Sequence, residues 1–247
     1  MTNLAAPKFF TSDGEMTAVK PSPATQDYLR AIYKLSRLSD DGRVLTSELA
    51  DALGVRPASV TAMLQKMAAA EPALVEYHKH HGARLSTAGE TEALYLVRSH
   101  RLLELYLVEI LGFDWADVHD EADRLEHVVS DSFIERLAQV LHHPTSDPHG
   151  HAIPAADLSV EPVAVQSLAQ MTTGQSAVVQ YIGDENPETL RLLGETEVRP
   201  GVTITLHLAD LSGDLLWLSV AGEGETFSLD RATASEVFVR QNNQLET

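Results

Sequence analysis

The spacing of apolar residues changes near residue 163, and this change limits the folds open to the chain. Before it, apolar residues recur at intervals of three and four, the period of a helix. After it come short alternating runs separated by turn residues, a pattern typical of β-strands. These runs are residues 177–182, 202–208, 215–220 and 237–240. We therefore predict a mainly α protein with a small β domain, a barrel of about five strands, at residues 163–240.

The first third of the chain has the pattern of a helix-turn-helix followed by a hairpin. Residues 25–39 have helical spacing, and a second short helix is capped by Thr46 and stopped by Gly54. Pro57 suits the first turn of a third helix. Residues 74–85 alternate around a turn, as a hairpin does. We predict a winged helix-turn-helix DNA-binding domain at residues 22–86, after a flexible N-terminal tail at residues 1–21.

Two long helices are predicted next, at residues 87–111 and 115–142. They contain more apolar positions than one protein core needs, and a homodimer interface would use the surplus. The surplus residues are Leu102, Leu103, Leu105, Tyr106, Ile110, Val128, Phe133 and Leu137. We assign residues 87–142 to a helical dimerisation and metal-binding domain. Prolines and a glycine predict a linker at residues 143–162, and residues 241–247 form a C-terminal tail.

The net charge of −18 is distributed unevenly. Residues 1–84 carry a net charge of +1 and residues 85–247 carry −19, so a nucleic-acid surface belongs in the first third. The acidic remainder suits divalent cations, although a solvated acidic surface has the same composition. The chain has no cysteine, which excludes disulfides and thiolate ligands. It shows no apolar run long enough for a membrane helix and no signal peptide, so we expect a cytoplasmic protein.

Imidazoles and carboxylates are concentrated in the two long helices. His119, Asp123, Glu126 and His127 have offsets that place them on one helical face. The preceding helix offers His100 and Glu104, one turn apart. A single pair of this kind is usually a solvated polar face, but this set within 28 residues indicates a metal site between antiparallel helices.

The ligand types favour some metals over others. Oxygen and nitrogen donors without thiolate suit Mn²⁺ or Fe²⁺ better than Cu(I) or a structural zinc site. A divalent-metal-dependent hydrolase is the alternative from another class, because the same residues around a cation can activate water. The sequence shows no independent nucleophile or substrate-binding motif, so we do not expect an enzyme. A metal-storage protein is disfavoured by the winged-helix pattern.

The candidate DNA-binding residues lie on the third helix and on the wing. Small polar side chains near the start of a recognition helix can approach bases, whereas Arg and Lys contact phosphates. The set is Arg56, Pro57, Ala58, Ser59, Thr61, Gln65 and Lys66 on or near the helix, and Lys79 and Arg84 on the wing.

Four stretches together resemble the diphtheria toxin repressor family of iron- and manganese-dependent regulators. They are Tyr-Leu-Arg-Ala-Ile-Tyr at 28–33, Val-Arg-Pro-Ala-Ser-Val-Thr at 55–61, Ser-His-Arg-Leu-Leu-Glu at 99–104, and the stretch 118–131 that contains His-Asp-Glu-Ala and Glu-His. The Pro-His-Gly-His-Ala-Ile-Pro segment at 148–154 and a small C-terminal barrel of the Src-homology type also fit. The resemblance covers roughly residues 22–240 and implies a metal-dependent homodimer that binds a palindromic double-stranded DNA operator and controls metal homeostasis genes.

The resemblance also implies two metal sites per subunit. The primary site would use Asp27, Asp123, Glu126 and His127. The ancillary site would use His100, Glu104 and His119, with Glu185 and Glu188 from the barrel on a looser alignment. Iron-responsive members carry methionine and cysteine where Asp27 and Asp123 stand, which favours Mn²⁺ over Fe²⁺ here. Manganese-responsive members often carry a glutamate where this chain has Arg30, so the resemblance does not support a closely spaced manganese pair that uses that glutamate.

Overall fold

The computed structural model describes residues 21–37, 39, 41–161, 163–183, 186–210, 213–221 and 225–241. The chain divides into two compact units. The first consists of the described residues up to Ser99 together with Pro154–Ser159. The second consists of His100–Ile153 and the described residues from Val160 onward.

The first unit is the predicted winged helix-turn-helix. It contains helices α1 (Pro23–Ser36), α2 (Thr46–Leu53) and α3 (Pro57–Ala68), then strands β1 (Val75–His78) and β2 (Gly82–Leu85). Its ends follow from local chemistry: the side chain of Ser22 caps α1, Gly54 ends α2 at a φ of 62°, and Pro57 begins α3. The predicted three helices and hairpin are confirmed, but the predicted cap of the second helix is wrong. Thr46 is the first residue of α2, and the N-cap position before it is Leu45, which makes no side-chain capping bond.

One apolar core joins the three helices to the hairpin. Leu29, Ile32, Leu49, Leu64 and Met67 are almost completely buried in it. The hairpin is held against the chain between α1 and α2, because Val44 and Ala83 exchange backbone hydrogen bonds of 2.8 and 2.9 Å. A Cβ at Gly82 would lie 2.3 Å from the carbonyl oxygen of Val44, and its φ is +76°, so only glycine fits there. The position of the wing is therefore fixed by backbone contacts.

Helix α4 (Thr87–Glu109) begins in the first unit and continues into the second. The structure then differs from the prediction, because residues 115–142 form two helices rather than one. These are α5 (His119–Glu126) and α6 (Asp131–Val140). Ser130 adopts an extended backbone, and its hydroxyl accepts a hydrogen bond of 3.2 Å from the N–H of Phe133. Capping of a new helix by Ser130 thus breaks the predicted helix after His127.

The segment predicted as a linker is closely packed along part of its length. The Asp147 carboxylate accepts hydrogen bonds of 2.9 Å from the backbone N–H groups of His149 and His151. Asp147, His149 and Ile153 are buried. Residues 147–151 therefore form an ordered loop whose polar groups are bonded internally.

The C-terminal part is an open antiparallel sheet. Its strands are β3 (Gln166–Ser167), β4 (Ser176–Ile182), β5 (Thr203–Ala209), β6 (Leu215–Val220), β7 (Phe227–Asp230) and β8 (Val237–Gln241). Their order across the sheet is β3-β8-β4-β5-β6-β7. The predicted barrel is not confirmed: among the described residues the edge strands β3 and β7 do not pair, and the sheet has six strands rather than about five. Two helices that the strand pattern did not predict, α7 (Pro187–Glu195) and α8 (Arg231–Ser235), accompany it.

The core of this sheet extends beyond the β domain. Leu190 and Leu193 of α7 pack into it, and so do Trp115 and Ala116, which lie between α4 and α5. The helical part of the second unit and the sheet are therefore joined through one apolar cluster. None of the helices in the described part of the chain is both long and apolar enough to cross a membrane.

Candidate metal centre and DNA-binding surface

The end of α4 and the start of α5 bring imidazoles and carboxylates into contact. Nε2 of His100 lies 3.0 Å from Oε1 of Glu104 and 3.0 Å from Nδ1 of His119. Nδ1 of His119 lies 3.1 Å from the same oxygen of Glu104. Adjacent ligands of a cation with bonds of about 2.1 Å at right angles are about 3 Å apart. The predicted pairing of the two helices through these residues is present, and its spacing suits a cation.

Asp123 lies one turn after His119 and faces the same two imidazoles. Its Oδ1 is 3.2 Å from Nδ1 of His100, and its Oδ2 is 3.7 Å from Nε2 of His119. His100, His119 and Asp123 can each direct one ligand atom to a common point, with these atoms within 4.8 Å of one another. We call these three residues the helix group. It combines a predicted primary ligand with two predicted ancillary ligands.

Glu126 and His127 lie beside the helix group. Oε2 of Glu126 is 2.8 Å from Nδ1 of His100, and its Oε1 is 3.8 Å from Nε2 of His127. His127 is the first residue after α5 but keeps a helical backbone, with φ −78° and ψ −16°. The break in the helix therefore leaves His127 next to Glu126.

The carboxylates determine the charge on His100. Burial lowers the pKa of His100, but the charge of Glu104 and hydrogen bonds to Asp123, Glu104 and Glu126 outweigh it and raise that pKa well above 6.5. Burial raises the pKa of Glu104, and the positive charge and hydrogen bonding of His100 overcome this and hold it well below 4.5. A proton on His100 thus supplies positive charge where a metal cation would otherwise do so.

A second group contains two residues that the sequence analysis did not select. Glu104, Asp147 and His149 are all buried and can direct ligand atoms within 4.8 Å of one another. We call them the loop group. Nδ1 of His149 lies 4.0 Å from Oε2 of Glu104, so Glu104 faces the helix group with one oxygen and the loop group with the other. The signal in the sequence was the Asp-Pro-His-Gly-His spacing within the predicted linker.

The guanidinium of Arg101 holds the loop group in place. Nε of Arg101 lies 3.5 Å from Oδ2 of Asp147, and its Nη1 donates a hydrogen bond of 2.5 Å to the carbonyl oxygen of Ala152. Arg101 follows His100 on α4. It therefore fixes both ends of the 147–152 segment against the helix that carries Glu104.

Three predicted ligands are members of neither the helix group nor the loop group. Asp27 lies on α1, in the first unit. Glu188 lies in the first turn of α7, where its N–H donates to Asn186, and it belongs to neither group. Glu185 lies outside the described residues.

The residues present fit a hard divalent cation. Both groups offer only imidazole nitrogen and carboxylate oxygen, the donors that suit Mn²⁺ and Fe²⁺. The carboxylates of Glu104, Glu126 and Asp147 have side-chain exposures of 4, 1 and 2%. Buried carboxylates need compensating positive charge, and a bound cation would supply it.

The predicted DNA-binding residues on α3 are largely accessible. Arg56, Pro57, Ala58, Ser59, Gln65 and Lys66 are exposed, and Thr61 is half-buried. The hydroxyl of Thr61 donates a hydrogen bond of 3.1 Å to the carbonyl oxygen of Pro57. One face of α3 thus presents polar and cationic side chains while Val60 and Leu64 enter the core.

The wing residues differ in their surroundings. Lys79 lies exposed in the turn between β1 and β2. Arg84 is paired with Glu76, its cross-strand neighbour, with Nη2 and Nε 2.6 and 2.7 Å from Oε2. A phosphate that approaches Arg84 therefore has to compete with a carboxylate of the same wing.

Three known protein families match successive parts of the chain. "Iron dependent repressor, N-terminal DNA binding domain" matches residues 20–83. "Iron dependent repressor, metal binding and dimerisation domain" matches residues 86–155, and "FeoA domain" matches residues 166–241.

Relatives of known function match most or half of the chain. Iron-dependent repressor IdeR of Mycobacterium leprae is 29% identical over 225 residues, 86% of this chain and 96% of that protein. The HTH-type transcriptional regulator MntR of Oceanobacillus iheyensis is 33% identical over 123 residues, 50% of this chain and 80% of that protein.

Solved structures are similar over most of the fold. A manganese-dependent transcriptional repressor in complex with manganese superposes with a TM-score of 0.80 at 32% identity, covering 88% of this chain and 99% of that one. ScaR with bound Zn²⁺ has a TM-score of 0.72 at 30% identity, with the same coverage.

Proposed function

This chain belongs to the family of iron- and manganese-dependent transcriptional repressors, and from this membership we propose a Mn²⁺-responsive homodimer that binds a palindromic operator and controls genes of metal homeostasis. Fe²⁺ is the alternative effector. The protein acts where the DNA lies, in the cytoplasm. The observation that carries the proposal is the contact of the buried His100 and Glu104 with His119, beside two further carboxylates. The matched families and relatives are regulators of transcription, and they give the alternative of a metal-dependent hydrolase no support.

We assign two metal sites to each subunit. His100, His119 and Asp123 would hold one cation with Glu104 beside them, and Glu104, Asp147 and His149 would hold the other. The family resemblance groups the ligands differently. It places Asp27, Asp123, Glu126 and His127 in the primary site, and His100, Glu104 and His119, with Glu185 and Glu188, in the ancillary site. A bound cation supplies positive charge that draws these carboxylates together.

Manganese is favoured by the donor atoms. The chain contains no cysteine, and a carboxylate stands at Asp123 within the helix group. Hard oxygen donors discriminate against soft cations, whereas intrinsic affinity for later metals such as Cu²⁺ exceeds that for Mn²⁺. The choice of metal in the cell would then depend on geometry and on the free concentration of each ion.

Exposed apolar residues supply a surface for the homodimer. Leu102, Leu103 and Leu137, which the sequence analysis counted as surplus, are buried in the core of the second unit. Ile110, Val128 and Phe133 are exposed by 54, 77 and 45%. These three lie within the segment that matches the dimerisation domain, and burial of this surface against a second copy would remove it from water.

Helix α4 is the element through which metal would affect DNA binding. It follows the wing directly and carries His100 and Glu104 in its second half. A restraint on those ligands acts on the same helix that packs, through Ala93, Leu96 and Val97, into the core of the winged domain. Coupling between metal and DNA of about 1–3 kcal/mol, or about 5- to 150-fold in affinity, is usual for allosteric proteins.

Retention of DNA fragments from the organism's own genome tests this function. The full chain is compared in Mn²⁺, in Fe²⁺ and in chelator at one salt concentration, because salt alone changes DNA affinity strongly. We expect specific fragments to be retained in Mn²⁺ and released in chelator. His119→Gln should lose the metal effect, whereas His207→Gln, at an exposed histidine of the sheet, should keep it. Equal retention in Mn²⁺ and in chelator would contradict the proposal.

A further inference from the structure

The ring of Trp115 contacts both an imidazole of the loop group and the guanidinium of Arg199. Its ring is stacked on that of His149, with centroids 5.5 Å apart and planes 26° from parallel. The guanidinium carbon of Arg199 lies 4.6 Å from the centroid of the Trp115 ring. Trp115 itself is buried in the core of the sheet. A single side chain therefore contacts both a candidate metal ligand and the interior of the β domain.

The backbone of Trp115 also determines which nitrogen of His149 is available to a metal. Nε2 of His149 lies 2.8 Å from the carbonyl oxygen of Trp115. A carbonyl oxygen only accepts hydrogen bonds, so Nε2 carries the proton and donates it. Nδ1 then faces Glu104, 4.0 Å from its Oε2. A metal-binding histidine commonly has this arrangement, in which one ring nitrogen donates to a carbonyl and the other binds the ion.

The β domain fixes the backbone at His149 as well. The N–H of Ile182, at the end of β4, donates a hydrogen bond of 2.9 Å to the carbonyl oxygen of His149. The next residue, Gly150, has φ +89°, and a Cβ there would lie 2.0 Å from the carbonyl oxygen of Gln180. The loop thus lies directly against β4, and His149 has little freedom to turn away from Glu104.

We propose that Trp115 is the positioning residue for His149, holding its ring with Nδ1 directed at the loop group, so that divalent-cation affinity there depends on the packing of Trp115 into the β domain. The inference rests on the proposed function, because it takes the loop group to be a metal site. It adds a role for a residue that donates no ligand. Arg199 also contacts the face of this ring, where a guanidinium is attracted to the aromatic system.

Two substitutions separate positioning from filling of the core. Trp115→Phe keeps an aromatic ring for stacking. Trp115→Leu is closer in volume to phenylalanine than to tryptophan and lacks the ring, so the comparison of the two variants isolates the effect of the ring. Mn²⁺ binding to the full chain is measured by the electron paramagnetic resonance signal of free Mn²⁺. The Leu variant should bind one of its Mn²⁺ ions about 10- to 100-fold less tightly, the usual loss on removing a partner of a metal ligand. The Phe variant should bind close to wild type.

A second readout reports on the imidazole itself. In metal-free protein, ¹⁵N chemical shifts of His149 should show the Nε2–H form in the wild type and the Phe variant, and a mixture of forms in the Leu variant. Leu218→Ala, in the same core on β6, is the control for loss of packing. It should lower the melting temperature without changing the ¹⁵N shifts or the Mn²⁺ affinity.

The outcomes distinguish this inference from the function on which it rests. If His149→Gln binds Mn²⁺ with the stoichiometry and affinities of the wild type, the loop group is not a metal site, and both that part of the function and the inference are wrong. If His149→Gln loses a site but Trp115→Leu keeps the wild-type affinity and ¹⁵N shifts, the site stands and the positioning role is overturned.

Discussion

Oε1 of Glu104 lies 3.0 Å from Nε2 of His100, one turn earlier on the same helix. The same oxygen faces His119, while the other oxygen of this carboxylate faces His149. Glu104 is thus a member of the loop group that also contacts two imidazoles of the helix group. Because it is buried, its negative charge has to be compensated by a protonated imidazole or by a bound cation.

Proton release should accompany metal binding. Although burial lowers the pKa of His100, its carboxylate neighbours raise it well above 6.5, which favours the protonated imidazole in the metal-free protein. A cation bound to His100 must displace that proton. We therefore expect Mn²⁺ binding to release protons at pH 7 and its apparent affinity to increase as the pH is raised. Calorimetry in two buffers of different ionisation enthalpy measures the release, and identical heats in both buffers would show that the prediction is wrong.

Disruption of the exposed apolar surface should prevent dimerisation. Val128 is 77% exposed in the single chain, and Val128→Glu would place a charge in the proposed interface at a high desolvation cost. We expect sedimentation velocity to show a shift from dimer to monomer, together with weaker operator binding. Val163→Glu, at an exposed apolar residue outside the matched dimerisation domain, is the control and should remain dimeric. A dimeric Val128→Glu variant would place the interface elsewhere.

Removal of the carboxylate from the wing should strengthen DNA binding. Glu76→Gln leaves Arg84 without its charged partner, so Arg84 can neutralise a phosphate. Each added phosphate contact steepens the dependence of log affinity on log salt by about 0.9. We expect this change for Glu76→Gln, and its loss in the double variant with Arg84→Ala. Glu90→Gln, at an exposed glutamate outside the wing, should leave the slope unchanged. A slope unaffected by all of these changes would exclude Arg84 from the DNA contact.

Metal choice should respond to Asp123. The double change Asp27→Met and Asp123→Cys introduces the softer donors that the family resemblance associates with iron. Soft ligands favour later metals over Mn²⁺, so operator binding should lose its response to Mn²⁺ disproportionately and retain a response to Fe²⁺ or Co²⁺. The titrations require buffered free metal, since affinity order alone favours the later ions. An unchanged Mn²⁺ activation curve would mean that these aspartates do not set the choice.

Much of the winged domain and part of the metal centre could be predicted from the sequence. Gly54 and Pro57 act on the backbone within one helical turn, so these two helix ends could be inferred from neighbouring residues. His100 and Glu104 face one another for the same reason, because residues four apart lie on one side of a helix. These features depend on local geometry, which the order of residues contains directly.

Only the tertiary structure brought Asp147 and His149 to Glu104, more than 40 residues away along the chain. Their pairing depends on α4, the 147–151 loop and β4 packing together, and no local pattern specifies it. The break after His127 was also decided by the structure, because capping by Ser130 competes with a continuous helix. The sheet is open because its two edge strands do not pair among the described residues. The sequence by itself determined which side chains could bind a metal. Packing of distant segments decided which of them share a site, because burial and charge compensation act through space rather than along the chain.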